Sequence, residues 1–434
     1  MDWLLCFPAT LKIVLAFVGI LVAHRLGVAL GVSILAHALL LTLWTGTGAQ
    51  GLGHQVASFL APKNYLLIVD IVLLIQFIEA LKASGRITRT VEALKLRLRS
   101  RRLTLAGLPA LVGLLPMPGG ALFSAPLVAS VDGEQRLTGR HKVAINYWFR
   151  HIWEYWWPLY PGVILAIRYS GLPIGLFLLI QLPFTLASIV GGRLFILRNL
   201  GSEEAASSGR GAASLSDLSA TLGPVSLLVT ISVLGSMALP RIGAAKASSN
   251  LLAMLVGLLL SCGWVLLGGE RSLRRPLRLL ASRMTMTLVV LVAGVQAFSA
   301  ALQTPLPPPR ETLVALMRDE LLMLGIPLVP VMMLVPFVSG VVTGVAMGYV
   351  GASFPLVFAL LGEHAPLNQV AATTALAYAC GYVGMMLSPI HICFVVTGQY
   401  FKSSPLQSYR FLLGPVAVVV ASALLLSAAY YKLL

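Results

Sequence analysis

Residues 146–162 read NYWFRHIWEYWWPLYPG and set Arg150, His151 and Glu154 among four tryptophans, three tyrosines and two prolines. An arginine, an imidazole and a carboxylate inside an apolar run can hold an anion and move a proton. Ionisable groups at mid-membrane depth cost at least ~2.5–3.5 kcal/mol, so they normally pair and normally have a task. If one helix runs on from Val143, Arg150 and Glu154 stand four apart on one face with Asn146, and His151 reaches the same carboxylate. Glu154 then falls ~16–18 Å along that helix, near the middle of a ~30 Å core. Arg150 or His151 is expected to hold an anionic substrate, and Glu154 to tune or relay a proton. The competing reading is an aromatic belt at the membrane surface with Arg150 and Glu154 as an interfacial pair. That reading leaves a span of only about 16 residues, short for a crossing.

Other polar groups sit in equally apolar surroundings. His37 in ILAHALLL and Asp70 in LLIVDIVLL are candidates for proton coupling, with helix capping as the plainer alternative. His391 in SPIHICF, with Ser388 just before it, mirrors the histidine at 151. Two glycine-rich stretches add Pro118, Gly119, Gly120 and Ser124, and then Ser339, Gly340, Thr343 and Ser353. At the amino end of a half-helix such residues leave N–H groups and a partial positive charge facing a ligand. The same small residues also serve plain helix packing. H-x-x-E occurs once, but position 155 is Tyr, so H-x-x-E-H is not completed, and G-x-S-x-G is absent. Enzyme chemistry is not expected. Cys6, Cys262, Cys380 and Cys393 show no C-x-x-C spacing, so neither disulfides nor a zinc site is expected. The one ion considered as a cofactor is Na⁺, as a coupling ion.

These groups need membrane-spanning elements to position them. The 434 residues are 58% hydrophobic and 11% charged, with a mean hydropathy of +0.90, far from the ~25% charged typical of soluble domains. The formal charge of +16 does not point to nucleic acid, because the basic residues gather in short loops between apolar runs. The opening MDWLLCF lacks a basic region before its apolar run, so a retained first span is expected rather than a cleaved signal peptide. Ten candidate spans fall near 7–23, 26–44, 64–81, 143–167, 173–196, 222–240, 250–268, 284–302, 366–398 and 411–431. The positive-inside rule places loops 82–102, 131–142, 197–221 and 269–283 in the cytoplasm and both termini outside. Stretches 103–130 and 321–362 enter and leave on one side, the first broken by PMPGG at 116–120, and each predicts a re-entrant hairpin.

The pattern repeats. Residues 1–200 carry three spans, hairpin 103–130, a broken helix over 143–167 and a final span; a Ser/Ala/Gly-rich linker covers 201–221; residues 222–434 repeat the order with hairpin 321–362 and broken helix 366–398. Threading gives the halves opposite orientations. S-x-P-L-V recurs at 124–128 and 353–357, ending the apolar part of each hairpin. The breaks correspond, with Pro158 and Pro161 in one half and GYVGMMLSP, Gly381 to Pro389, in the other. Paired interrupted segments of this kind point to a transporter's binding site. The expected fold is therefore an all-α polytopic membrane protein of two inverted repeats, each with about five transmembrane helices and one re-entrant hairpin.

PMPGGALFSAPLV (116–128), NYWFRHIWEYWWPLYPG (146–162) and GYVGMMLSPIHICFVVTGQYF (381–401) resemble a family of prokaryotic integral membrane proteins of unknown function, domain-of-unknown-function 401. That family is grouped in the ion transporter superfamily with gluconate, lactate, citrate and arsenite permeases. The resemblance implies hairpin tips and broken helices around a midplane site, an elevator-like motion, and drive by Na⁺ or H⁺. The Ser-Asn-Thr hairpin motif of the superfamily's dicarboxylate/sodium symporters is absent, so neither dicarboxylate specificity nor Na⁺ coupling follows. The expected protein is a permease for a small anionic solute in a prokaryotic inner membrane, with the lipid bilayer as its other partner and room for a homodimer. A cation/proton antiporter using Asp70 and Glu154 is the alternative within transport, and a membrane-embedded enzyme or lipid-handling protein the alternative from another class.

Overall fold

The computed structural model describes residues 7–85, 100–114, 120–132, 136–198, 200, 215–243, 245–267, 282–307, 311–362 and 364–434. Pro118 and Gly119 lie outside the described residues, as do most of loops 82–102 and 269–283 and positions 201–214 of the linker.

Every element among the described residues is helical. In the first half these are α1 (Ala9–Arg25), α2 (Leu30–Trp44), α3 (Gly48–Leu60), α4 (Pro62–Ala83), α5 (Arg101–Gly113), α6 (Gly120–Val131), α7 (Gly139–Arg150), α8 (Pro161–Ser170) and α9 (Ile174–Gly191), which a π-turn extends over Gly192–Ile196. In the second they are α10 (Leu215–Ala238), α11 (Lys246–Leu267), α12 (Arg283–Gln303), α13 (Leu313–Met323), α14 (Leu328–Thr343), α15 (Ala346–Leu361), α16 (Leu367–Met386), α17 (Ile392–Tyr400) and α18 (Pro405–Leu433). Five segments are long and apolar enough to cross a membrane by length and composition: Ile174–Ile196, Leu222–Ile242, Ser248–Leu267, Arg283–Gln303 and Leu406–Leu433. The chain is thus a multi-pass membrane protein by its helices.

α2 packs on α12, and α4 on α11. The first contact is close because Gly31 and Gly294 face each other: a Cβ at Gly294 would lie 2.4 Å from the Gly31 carbonyl oxygen. Without a hydrophobic drive between helices in lipid, such small residues give the backbone contact that holds a pair. α16 occupies the centre. Thr374–Met386 are all buried, as expected of a helix apolar on every side. α5, α6 and α7 pack together, and so do α14, α15 and α16. α6 also lies against α17, and α15 against α8.

Several sequence expectations change. α3 and most of α13 fall outside the ten candidate spans and the two hairpins. In α3 the glycines read as a break, yet Leu52, Val56, Phe59 and Leu60 recur on one face and are exposed while Gln55 turns inward, the pattern of a helix lying along an interface. α13 was hidden by its charges, Arg318, Asp319 and Glu320. The linker expected to reach 221 ends sooner, since α10 begins at Leu215. The second break does not start at Gly381, because α16 stays helical through Met386. Gly381 and Gly384 serve crossing instead: a Cβ at Gly384 would stand 2.1 Å from the Phe337 carbonyl oxygen, and one at Gly340 would stand 2.2 Å from that of Gly381.

Two buried or partly buried carboxylates fix element ends. Asp132, fully buried after α6, accepts from Arg101 Nη2 at 2.5 Å, from Lys142 Nζ at 2.8 Å and from Leu137 N–H at 3.1 Å. It ties the starts of α5 and α7 to the end of α6. Glu320 on α13 caps α1, accepting from the N–H groups of Ala9 and Thr10 at 2.7 Å each. Partial burial pushes the Glu320 carboxyl up, but the hydrogen bonds from Thr10 and Ala9 and the charge of Lys12 outweigh it and hold it below its ordinary value of 4.5. A depressed carboxyl adds stability above its unfolded pKa and loses it as pH falls through the folded one. Glu320→Gln should therefore lower the melting temperature at neutral pH, and the gap from wild type should close below about pH 4. A gap that stays constant across that range would sink the capping role.

Candidate functional site

The two helix breaks meet in the protein interior. α7 ends at Arg150, and residues 151–160 run as turns before α8 begins at Pro161. α16 ends at Met386, and 387–391 cross to α17. Broken helices free carbonyl groups that lipid cannot satisfy. Here each break is satisfied by the other half. Tyr147 O–H donates to the Met386 carbonyl at 3.1 Å, while Tyr382 O–H donates to the His151 carbonyl at 3.2 Å and Tyr378 O–H to the Glu154 carbonyl at 2.6 Å.

The tryptophans do not form a surface belt. Trp148 is fully buried and donates to the Ser188 carbonyl at 2.9 Å. Trp153 and Trp157 donate to the carbonyls of Ala110 and Leu114 at 2.8 and 2.7 Å, and Trp156 to Thr185 Oγ1 at 2.9 Å. These indoles bind the turns 151–160 to the end of α5 and to α9.

Arg150, His151 and Glu154 are all buried, but not as one helical face, because the helix stops at Arg150. Arg150 Nη1 donates to Cys393 Sγ at 2.9 Å. Its guanidinium also lies over Gly120 at the start of α6, where a Cβ would stand 2.2 Å from Nη2. His151 Nε2 is 3.7 Å from Glu154 Oε1 and 3.2 Å from His391 Nε2. His151 Nδ1 is 2.6 Å from the Tyr147 carbonyl oxygen. A carbonyl only accepts, so that nitrogen carries the proton and Nε2 keeps its lone pair in the neutral ring. One ligand atom each from His151, His391 and Cys393 lies within 4.8 Å of the other two. A cavity of about 450 Å³ opens on Arg150, His151, Glu154, Tyr160, His391 and Cys393.

The remaining candidates divide. Asn146 Nδ2 donates to Thr397 Oγ1 at 3.1 Å, beside the cluster, and its Oδ1 is buried without a hydrogen bond. Ser124 donates to the Gly120 carbonyl at 3.2 Å within α6. Ser339, Thr343 and Ser353 donate to carbonyls one turn back in their own helices at 2.8, 2.7 and 2.5 Å. Ser388 donates to the Val341 carbonyl at 2.7 Å. Gly340 is a crossing point of α14 and α16, as above. His37 Nδ1 lies 2.8 Å from the Ser33 carbonyl oxygen and its ring fills the space over Gly19. Asp70 is fully buried on α4 with neither oxygen hydrogen-bonded. Neither His37 nor Asp70 is among the described residues lining the 450 Å³ cavity.

Sequence reasoning passed over Cys393, Tyr147, Tyr382 and Thr397. The one local signal was I-H-I-C, which sets Cys393 two residues after His391. No curated protein matches the chain. Residues 10–430 match the model of the family described as "Protein of unknown function (DUF401)", and the chain belongs to that family.

Proposed function

We propose that the protein is a secondary active transporter of a small anionic solute, coupled to H⁺ or Na⁺ in a prokaryotic inner membrane, and that the meeting point of the two breaks is its substrate site. The observation that carries this reading is Arg150, a buried cation whose guanidinium sits at the start of α6 and faces a cavity of about 450 Å³. A helix amino end and a guanidinium together make an anion site.

An inverted repeat is supported by the packing. Exchanging α1, α2, α4–α9 for α10, α11, α12, α14–α18 in order turns many of the helix contacts into others that are also present, while α16–α18 and α12–α15 have no equally marked counterpart. The α2–α12 pair becomes α11–α4, and α6–α17 becomes α15–α8. The tyrosines exchange too, Tyr147 against Tyr382. α14 and α15 are joined only by Gly344 and Val345, which favours a re-entrant hairpin over two spans with a watery turn.

Alternating access is supported by cavities at opposite ends. The 450 Å³ cavity reaches past Glu79 near the end of α4 and Met284 at the start of α12, the end that the basic loops assign to the cytoplasm. A second, of about 550 Å³, is lined by His54, Lys63, Arg168 and Gln303 at the other end of the same helices. Glu154, paired with His151 inside the first cavity, suits proton coupling. An antiporter built on Asp70 and Glu154 is less supported, since Asp70 stands apart from that cavity.

The test is uptake into proteoliposomes with imposed H⁺ or Na⁺ gradients against a panel of small anions. One anion should accumulate under one gradient, and Glu154→Gln should abolish that uptake or flatten its pH dependence. If no gradient moves any anion, the reading fails.

A further inference from the structure

We propose that His151, His391 and Cys393 form a binding site for a zinc-class divalent ion at the crossing of the two helix breaks. The inference goes beyond the transport reading and does not rest on it.

Three independent features point there. The ligand set is two imidazoles and one thiolate, which suits Zn²⁺ and its neighbours and not the oxygen-seeking Mg²⁺ or Ca²⁺. The geometry is close to what the ion needs: two nitrogens on a tetrahedral Zn²⁺, each ~2.0–2.1 Å from the metal, stand about 3.4 Å apart, and the two Nε2 atoms stand 3.2 Å apart. All three ligand atoms lie within 4.8 Å of one another, so the widest gap closes by only about 1 Å on binding. The proton on His151 is also already placed. Its Nδ1–H donates to the Tyr147 carbonyl, the arrangement that fixes metal-binding imidazoles and leaves the other nitrogen free to ligate.

The charges around the cluster are compatible with a cation. Arg150 Nη1 donates to Cys393 Sγ at 2.9 Å, and a metal binding there would take the place of the thiol proton. The guanidinium opposes a divalent ion, and the thiol proton released on binding, with the Glu154 side chain 3.7 Å from His151 Nε2, supplies the groups that can counter it. The fourth position faces the 450 Å³ cavity, so the site is open in the manner of exchangeable metal centres. The ligands come from two breaks 240 residues apart in sequence, so no spacing motif announces them.

The experiment uses the full-length protein purified in detergent, stripped with a chelator, and titrated with Co²⁺ as a spectroscopic probe. Expected are a thiolate-to-cobalt charge-transfer band and four-coordinate visible bands that saturate at one equivalent and vanish when Zn²⁺ is added. Cys393→Ala should remove the charge-transfer band, and His151→Ala or His391→Ala should weaken Zn²⁺ binding at least ~100-fold, beyond what changes behind a metal's ligands usually cost. Cys380→Ala should change neither. No charge-transfer band in wild type, or a band that persists in Cys393→Ala, overturns the proposal. If the Cys393 variant does not fold, alkylation of wild type read by mass spectrometry decides. Zn²⁺ should slow modification of Cys393 and not of Cys380, and equal rates with and without Zn²⁺ also overturn it. None of these measurements involves uptake, so a metal-free result leaves the anion reading standing and a failed uptake screen leaves the metal site standing.

Discussion

Gly113→Val should leave a chain that never becomes monodisperse in detergent, and Gly113→Ala should cost more than about 3 kcal/mol, the upper end of ordinary overpacking. A Cβ at Gly113 would stand 1.9 Å from the carbonyl oxygen of Arg150 and 2.8 Å from its carbon. Those are backbone atoms at the end of α7, so no side chain can rotate away. Gly113 also accepts the Tyr160 hydroxyl at 2.5 Å through its own carbonyl, and moving α5 outward would break that bond as well. Against a total stability of ~5–15 kcal/mol such a loss is severe. Gly53→Ala is the control. Gly53 lies within α3 with nothing within 4 Å of its would-be Cβ, so the change should be neutral or raise helix stability by up to ~1 kcal/mol. Thermal melting and size-exclusion profiles of the two variants make the comparison. Equal melting of Gly113→Ala and wild type would mean that the approach of α5 to the break is looser than described.

Arg150→Ala should lower uptake of the transported anion by ~30- to 4,000-fold, the span that corresponds to losing ~2–5 kcal/mol from a buried charge contact. The arginine is 3% exposed, and the groove over Gly120 admits its planar group because glycine has no side chain. Arg150→Lys keeps the charge without the flat fork, so it should recover part of the loss in KM while remaining below wild type. Uptake kinetics at fixed gradient, with melting curves to confirm folding, decide the matter. Folded Arg150→Ala protein with uptake within twofold of wild type would remove the arginine from the substrate site.

Much of the scaffold was legible because apolar runs near 20 residues leave little choice but a helix. α1, α2, α4, α9, α11, α12 and α18 fall where continuous Leu, Val and Ala put them. α3 was not, since its helix is held by one apolar edge and its glycines look like a turn. The interruption after Arg150 was visible as two prolines, but its start was not: nothing in R-H-I-W-E stops a helix locally, and the tyrosines that hold the turns lie more than 220 residues away. The role of Arg150, His151 and Glu154 as buried polar groups was readable from depth alone. Their true neighbour Cys393 was not, because it is a tertiary contact made by a residue type that normally reads as core.

The exchange of tyrosines between the breaks also constrains how the chain is made. When ribosome and insertion machinery have delivered the first half, the Glu154 carbonyl still awaits Tyr378, and the His151 carbonyl has the Glu154 N–H but not yet Tyr382. The nascent first half therefore carries an unfinished polar seam until more than 220 further residues have been synthesised, and the carbonyl at the end of α16 then meets Tyr147, which was laid down long before. A chain that stops short of α16 lacks both tyrosines and leaves the turns after Arg150 without their second-half donors.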